Sequence, residues 1–313
     1  MKRRGPPYLW TVGQLIVAGG LLTLLWKAAD GPSAVHRLAT ADWPWLACAV
    51  GLLTVQTILS AVRWQVTARA LGISFGVGHA IREYYLAQVV NQSLPGGMVG
   101  DAARAYRERE QAGLLVSGQA VVIERLIGQI AMFITLAVAF GATQLVPGGL
   151  DWPNWLAAPV TVCLLAGLML PLLVWGASRL GGAIGRGAVI LLTLLGKTVF
   201  TDRFLPAHLA LSVGTTFCNI TAFAACARAV GVDLSVPAMA ALVPLILFTM
   251  LIPISVSGWG LREGAAAALL PLAGASASGG LAASVAFGLS FVVAVLPGLF
   301  FLRHKPHAER IKL

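Results

Sequence analysis

The chain has 313 residues, of which 58% are hydrophobic and only 11% charged, and its mean hydropathy is +0.84. Soluble domains carry about 25% charged residues, so these values exclude a soluble enzyme or regulator and point to a polytopic membrane protein. The net charge of +10 does not mark a nucleic-acid binder, because the Lys and Arg residues stand at the ends of apolar segments rather than among aromatics on a polar domain.

In chain order, the first span is expected at 8–26, behind the basic start Met1-Lys2-Arg3-Arg4. The run is long enough to cross and has no A-x-A cleavage site, so a retained helix is expected rather than a signal peptide. A polar linker with Asp30, His36, Arg37 and Asp42 precedes the second span, 43–62, which ends at Arg63-Trp64. Residues 79–93 then form an apolar-aromatic arm too short to cross comfortably. The break Asn91-Gln92-Ser93-Leu94-Pro95-Gly96-Gly97 follows, and after it an Arg-rich arm at 100–112. The third span, 116–143, ends in the turn Pro147-Gly148-Gly149 with Trp152 and Trp155 at the interface.

A span at 156–177 opens the second half, and a linker bearing Arg179, Arg186, Lys197 and Arg203 follows. Its apolar stretch 187–196 either lies in the interface or lengthens a neighbouring helix. A span at 205–227 comes next, then an arm at 236–253 and the break Pro253-Ile254-Ser255-Val256-Ser257-Gly258-Trp259-Gly260. A returning arm reaches about residue 272, the last span is 281–302, and the tail is short and basic. Cys48, Cys163, Cys218 and Cys226 fall inside apolar spans with no ligand spacing, and the five His residues form no metal motif. Buried apolar thiols, no metal and no cofactor are therefore expected.

Lys and Arg set the topology. With the N-terminus inside, residues 2–4, Arg63, Arg69, Arg82, Arg107, Arg109, the linker basics and the tail are cytoplasmic, and only Lys27, Arg37 and Arg228 fall outside. This asymmetry requires both broken segments to be re-entrant hairpins, 79–112 from inside and 236–272 from outside. The expected fold is thus all-α, an inverted repeat of residues 1–154 and 155–313, each with three spans and one hairpin. Short or Gly/Pro-interrupted segments in corresponding positions of two halves are a pointer to a midplane transport site.

Each hairpin's second arm would aim its helix N-terminus at the midplane, where free N–H groups favour an anion. Arg104 and Arg262 lie within a turn of these ends and suit bidentate grip of a phosphate or carboxylate. Asp101 and Glu263 would keep them paired while empty. Asn91, Gly97, Gly100, Ser255, Gly258 and Gly260 complete the expected binding tips, and Glu83, Glu124 and Arg125 are candidates for coupling or gating. The plainer readings are that Asp101 is only a helix cap, that Glu124-Arg125 is an interfacial pair, and that Asn219 is helix–helix glue. Glu108 and Glu110 read as a solvated face.

The motifs Arg63-Trp64, Asn91-x-x-Leu94-Pro95-Gly96-Gly97-x-x-Gly100-Asp101-x-x-Arg104, Glu124-Arg125-Leu126-x-Gly128 and Pro253-Ile254-Ser255…Gly258-x-Gly260-x-Arg262-Glu263-Gly264 follow one another in order. Together they resemble the flippase-like membrane family, the transmembrane region of the lysylphosphatidylglycerol synthases, over about 8–302. The resemblance implies movement of a lipid with a polar head across a bacterial inner membrane. The chain stops at Leu313 without the synthases' soluble domain, so lysyl transfer is not expected of it. The expected cargo is a phospholipid, an aminoacylated phospholipid or a polyprenyl-phosphate-linked sugar. There is no Walker A pattern, so ATP is not the expected direct energy source, and titration of Asp101, Glu124 or Glu263 is a route for proton coupling. The competing readings are a membrane-embedded transferase using a lipid-linked donor, for which no D-x-D, H-E-x-x-H or G-x-S-x-G motif appears, and a scaffold of an envelope-lipid pathway.

Overall fold

The computed structural model describes residues 19–20, 23–24, 26–93, 98–145, 150–251 and 258–303, the last two without their side chains. Twelve α-helices occur among them. They are α1 (Gly31–Ala39), α2 (Trp43–Ala70), α3 (Val77–Ser93), α4 (Val99–Arg107), α5 (Arg109–Leu145) and α6 (Asn154–Ala177), then α7 (Gly182–Thr198), α8 (Leu205–Ala229), α9 (Val236–Phe248), α10 (Leu261–Leu269), α11 (Ala277–Val295) and α12 (Pro297–Arg303). Among the described residues, five helical segments are long and apolar enough to cross a membrane: α2, α5, α6, α8, and α11 continued into α12. The expected first span and the tips at 94–97 and 252–257 lie largely or wholly outside the described residues.

Helices α2 and α8 form the centre and run antiparallel. The Asp42 N–H at the start of α2 donates to the Ala229 carbonyl at the end of α8 (2.9 Å). Farther along α2, Arg63 reaches Thr215 and Ser212, about two to three turns into α8. Both helices end in the same turn. Arg69-Ala70-Leu71-Gly72-Ile73 and Arg228-Ala229-Val230-Gly231-Val232 each place Gly in the left-handed region, at φ 85° and 75°. In each, the third residue after the helix donates back, Ile73 to Ala68 and Val232 to Ala227, both at 2.9 Å. Each turn is then followed by a new helix starting five residues after its glycine, at Val77 and Val236.

The helices flanking the two breaks are short, about 14 Å for α4 and α10, about 20 Å for α9 and about 26 Å for α3, against a hydrocarbon core of about 30 Å. Helices α3 and α4 lie antiparallel, since Glu83 pairs with Arg107 while Asn91 bonds Asp101. A side chain on Gly100 would place Cβ 2.0 Å from the Ala87 carbonyl oxygen, so only glycine allows this backbone approach. Helices α10 and α11 are antiparallel too, with Gly280 against Ala266 and Ser284 against Glu263.

Several sequence expectations change. Helix α2 continues past Arg63 to Ala70 and buries Arg63 at 5% exposure, so this residue is not a cytoplasmic end-marker. The 187–196 stretch belongs to a separate helix, α7, which neither merges with α6 nor with α8. Glu108 is buried and hydrogen-bonds His79 (2.6 Å), whereas Glu110 is solvated as expected. Cys218 and Cys226 are buried, but Cys48 and Cys163 face outward, because an apolar helix in lipid exposes its thiols as readily as its leucines.

Candidate functional site

A cavity of about 250 Å³ lies where α2, α3, α5 and α8 meet α9 and α11. Its two walls differ in chemistry. The polar wall carries Gln56, Ser60 and Arg63 on α2, Gln88, Asn91 and Gln92 on α3, Glu124, Arg125 and Gln129 on α5, and Thr215, Thr216 and Asn219 on α8. The apolar wall is built from Leu247 and Phe248 at the end of α9, Met250 and Leu251 in the following 3₁₀ turn, and Phe287 and Phe291 on α11. The spacing explains the polar wall. Gln56, Ser60, Arg63 and Thr67 stand at i, i+4, i+7 and i+11, which is one face of α2. Leu251, on the apolar wall, is exposed at the surface.

An ion network backs the polar wall. The Arg63 guanidinium donates to Glu124 Oε1 (2.9 Å) and to Thr215 Oγ1 (2.9 Å), and Gly128 leaves room for it. Arg104 donates to Asp101 Oδ1 (3.0 Å) and approaches Glu124 Oε2 (3.7 Å). Arg125 pairs with the other oxygen of Asp101. Asn91 holds Asp101 with its amide N–H₂ (3.2 Å) and accepts from the Gly100 N–H (2.7 Å), which fixes the start of α4. Three guanidinium groups thus face two carboxylates, leaving one positive charge in excess. Arg125 keeps 35% of its side chain accessible and is the more exposed of the two arginines, with Arg63, that line the cavity.

Arg104 itself is fully buried and does not line the cavity. It is sandwiched between the Trp64 ring (4.3 Å) and the Tyr84 ring (4.5 Å). Its Nε and Nη1 have no hydrogen-bond partner among the described residues, and the two ring faces attract the guanidinium instead. Arg262 is equally closed off. Nη2 donates to Glu263 Oε1 (2.6 Å), Nε to Ser284 Oγ (3.0 Å), and Gly288 leaves the space it fills. Glu263 Oε2 accepts from the Gly260 N–H (2.6 Å) and so caps its own helix. The expectation that Arg104 and Arg262 face one another across a shared cavity therefore does not match the geometry. Each has a carboxylate within three positions on its own helix, and local pairing with aromatic cover satisfies it away from the opening.

The remaining predicted residues divide as follows. Asp101 and Gly100 are buried just behind the wall, and Glu124 and Arg125 are on it. Glu83 is off the cavity and pairs with Arg107. Gly258 and Gly260 both take positive φ, 81° and 90°, at the start of α10, while Gly97 and Ser255 lie outside the described residues. Asn219 faces the cavity and makes no hydrogen bond to a neighbouring helix among the described residues. The sequence reading overlooked Arg63 and the glutamines as cavity residues, although the four-and-three spacing of α2 was there to be read. Among the described residues no group of three metal-ligating side chains occurs.

A family model described as the lysylphosphatidylglycerol synthase TM region matches residues 11–298. The chain belongs to this family. Among curated proteins no match is found. Membership and the five apolar spans make the chain a multi-pass membrane protein of a lipid-modification or flippase family.

Proposed function

We propose that the protein moves the polar head of a phosphate-bearing lipid across the inner membrane through this cavity. The observation that carries the reading is the pairing of a polar, net-cationic wall with an apolar one in a single opening. A head group fits against Arg125 and the amides while an acyl or prenyl chain follows the aromatic wall towards lipid. The volume accommodates a head group rather than a whole lipid, since pockets for entire small ligands run about 300–1,000 Å³. In this mechanism Arg125, with Arg63 beside it, holds the phosphate. Asp101 and Arg104 position Arg125, and Arg262 with Glu263 secures the start of α10 opposite.

The two halves act in this reading as an inverted repeat, with α3–α4 and α9–α10 as re-entrant hairpins and both termini cytoplasmic. The recurrence of the Arg-Ala-x-Gly turn, the antiparallel α2–α8 pair and the presence of a buried Arg on both α4 and α10 support it. So do the exposed apolar side chains Val99 and Tyr106 on α4, which suit lipid rather than water. Rocking of one half against the other would open the cavity to each leaflet in turn.

The test is accessibility. In a background lacking the four native thiols, a cysteine replacing Gln129 should react with a membrane-impermeant maleimide from either face of sealed vesicles. Reaction from one face alone, under all conditions, would limit the cavity to binding without transport.

A further inference from the structure

The mechanism above leaves one buried titratable side chain unused. His208, on the first turn of α8, is 2% exposed. Its Nε2 lies 3.1 Å from the Thr198 carbonyl at the end of α7. A carbonyl only accepts, so Nε2 carries the hydrogen and the neutral ring keeps its lone pair on Nδ1. That atom is buried and has no hydrogen-bond partner among the described residues. Buried polar atoms are rarely left so, and the unpartnered one here is the atom that binds a proton.

The ring stands at the head of a polar file that reaches the cavity. His208, Ser212 and Thr215 sit at i, i+4 and i+7, on one face of α8. Arg63 donates through Nη1 to both hydroxyls, at 3.4 and 2.9 Å, and through Nη2 to Glu124 Oε1. Arg63, Thr215 and Glu124 line the cavity, and His208 lies behind them. The charged groups that act on the ring are Arg63 from α2 and Glu124 from α5, of opposite sign, while α7 presents the Thr198 carbonyl. A phosphate arriving beside Arg63 and Arg125 adds a negative charge about two turns along α8, roughly 10 Å from the ring. A unit charge at that distance, at an effective dielectric of about 20, shifts a binding equilibrium on the order of tenfold. Linkage makes the effect mutual: the anion favours the proton by the factor by which the proton favours the anion.

We propose that His208 is the proton-binding group of the transport cycle: a proton from the cytoplasmic side binds Nδ1 as an anionic head group enters the cavity, and leaves Nδ1 when the head group departs. The ring passes from neutral imidazole to imidazolium and back, and Nε2 keeps its bond to Thr198 throughout. The first turn of α8 follows the linker with Lys197 and Arg203, on the side taken above as cytoplasmic. This rests on the lipid-cavity reading above.

Purified protein in detergent is titrated with a fluorescent phosphatidylglycerol, a probe whose charge stays constant between about pH 5.5 and pH 8.5. The parent should bind on the order of tenfold more tightly at the lower pH, and binding in weakly buffered solution at intermediate pH should take up protons. His208→Gln keeps an N–H for the Thr198 carbonyl but does not titrate. It should match the parent's stability and probe affinity at the higher pH, hold that affinity at the lower pH and take up no protons. His79→Gln, whose partner Glu108 lies off the cavity, should keep both responses of the parent. Equal parental affinity at the two pH values, or full pH dependence persisting in His208→Gln, would overturn the proton site while leaving a lipid site intact. If His208→Gln does not fold, proton uptake by the parent and by His79→Gln decides, and uptake by neither overturns the proposal. Probe binding unchanged in Arg125→Gln at both pH values would overturn the lipid-cavity reading itself.

Discussion

The Arg63–Glu124 pair offers the most quantitative check on how the site is held. Both side chains are almost fully buried, at 6% and 1%, and the bridge spans α2 and α5 while Arg63 also ties α2 to α8. Removing one partner of a buried pair leaves the other charge uncompensated, at a cost of about 3–5 kcal/mol. Arg63→Met should therefore lower the melting temperature in detergent by roughly 6–10 °C, at about 2 °C per kcal/mol for a chain of this size. Arg63→Met/Glu124→Met removes both charges. Arg104 still has Asp101 at 3.0 Å, so the double variant should recover most of that loss, by the logic of a double-mutant cycle. Recovery of stability must not restore lipid movement, since the polar wall has lost its Arg63–Glu124 ion pair. The reasoning fails if the two single losses simply add in the double variant.

Three further outcomes follow from particular contacts. Gly100→Ala, with a new Cβ 2.0 Å from a backbone carbonyl, should prevent proper assembly of α3 on α4; Gly118→Ala, with open space around it, should be neutral or stabilising by up to about 1 kcal/mol in a thermal scan. His79 has its pKa raised above 6.5, first by its hydrogen bond to Glu108 and then by the charges of Glu108 and Glu83, against opposing burial and Arg82. A raised folded pKa means stabilisation that is full below 6.5 and lost as pH rises through the folded value. The stability difference between the parent and His79→Gln should thus shrink from pH 6 towards pH 9, and a difference that grows would contradict the pairing; with 41% of the side chain exposed the effect is small. Finally, single cysteines at 231 and 186 should be labelled from opposite faces of the membrane, as the inverted repeat requires, and labelling of both from one face would exclude it.

Much of the fold was legible because hydropathy and length are one-dimensional signals. The spans at 43–62, 116–143, 156–177, 205–227 and 281–302 all fall on long apolar helices or their continuation. Helix ends were harder, since Arg63 looks like a terminus in sequence until its charge is balanced by Glu124, sixty-one positions away. Such pairing is a property of tertiary contact, invisible to composition. The repeated Arg-Ala-x-Gly turn was legible but passed over. For the site, Glu124 and Arg125 were recognised as ionisable groups in a span, and both line the cavity. Arg104 and Arg262 were placed in it because charge at depth suggests function, whereas Trp64, Tyr84, Ser284 and Glu263 enclose them. On α11, Gly280 lets the α10 backbone approach and Gly288 leaves the space that the Arg262 guanidinium fills.

The most direct measurement of the central claim is head-group translocation in sealed vesicles reconstituted with purified protein. A phospholipid carrying a head-group fluorophore, placed in both leaflets, is bleached from outside by an impermeant reductant. Without movement, about half of the signal survives. Active protein should let the reductant reach nearly all of it, and Arg125→Gln should return the surviving fraction to that of protein-free vesicles while Arg107→Lys should not. Bleaching that stops at half with the parent protein, or proceeds equally with Arg125→Gln, would contradict the account.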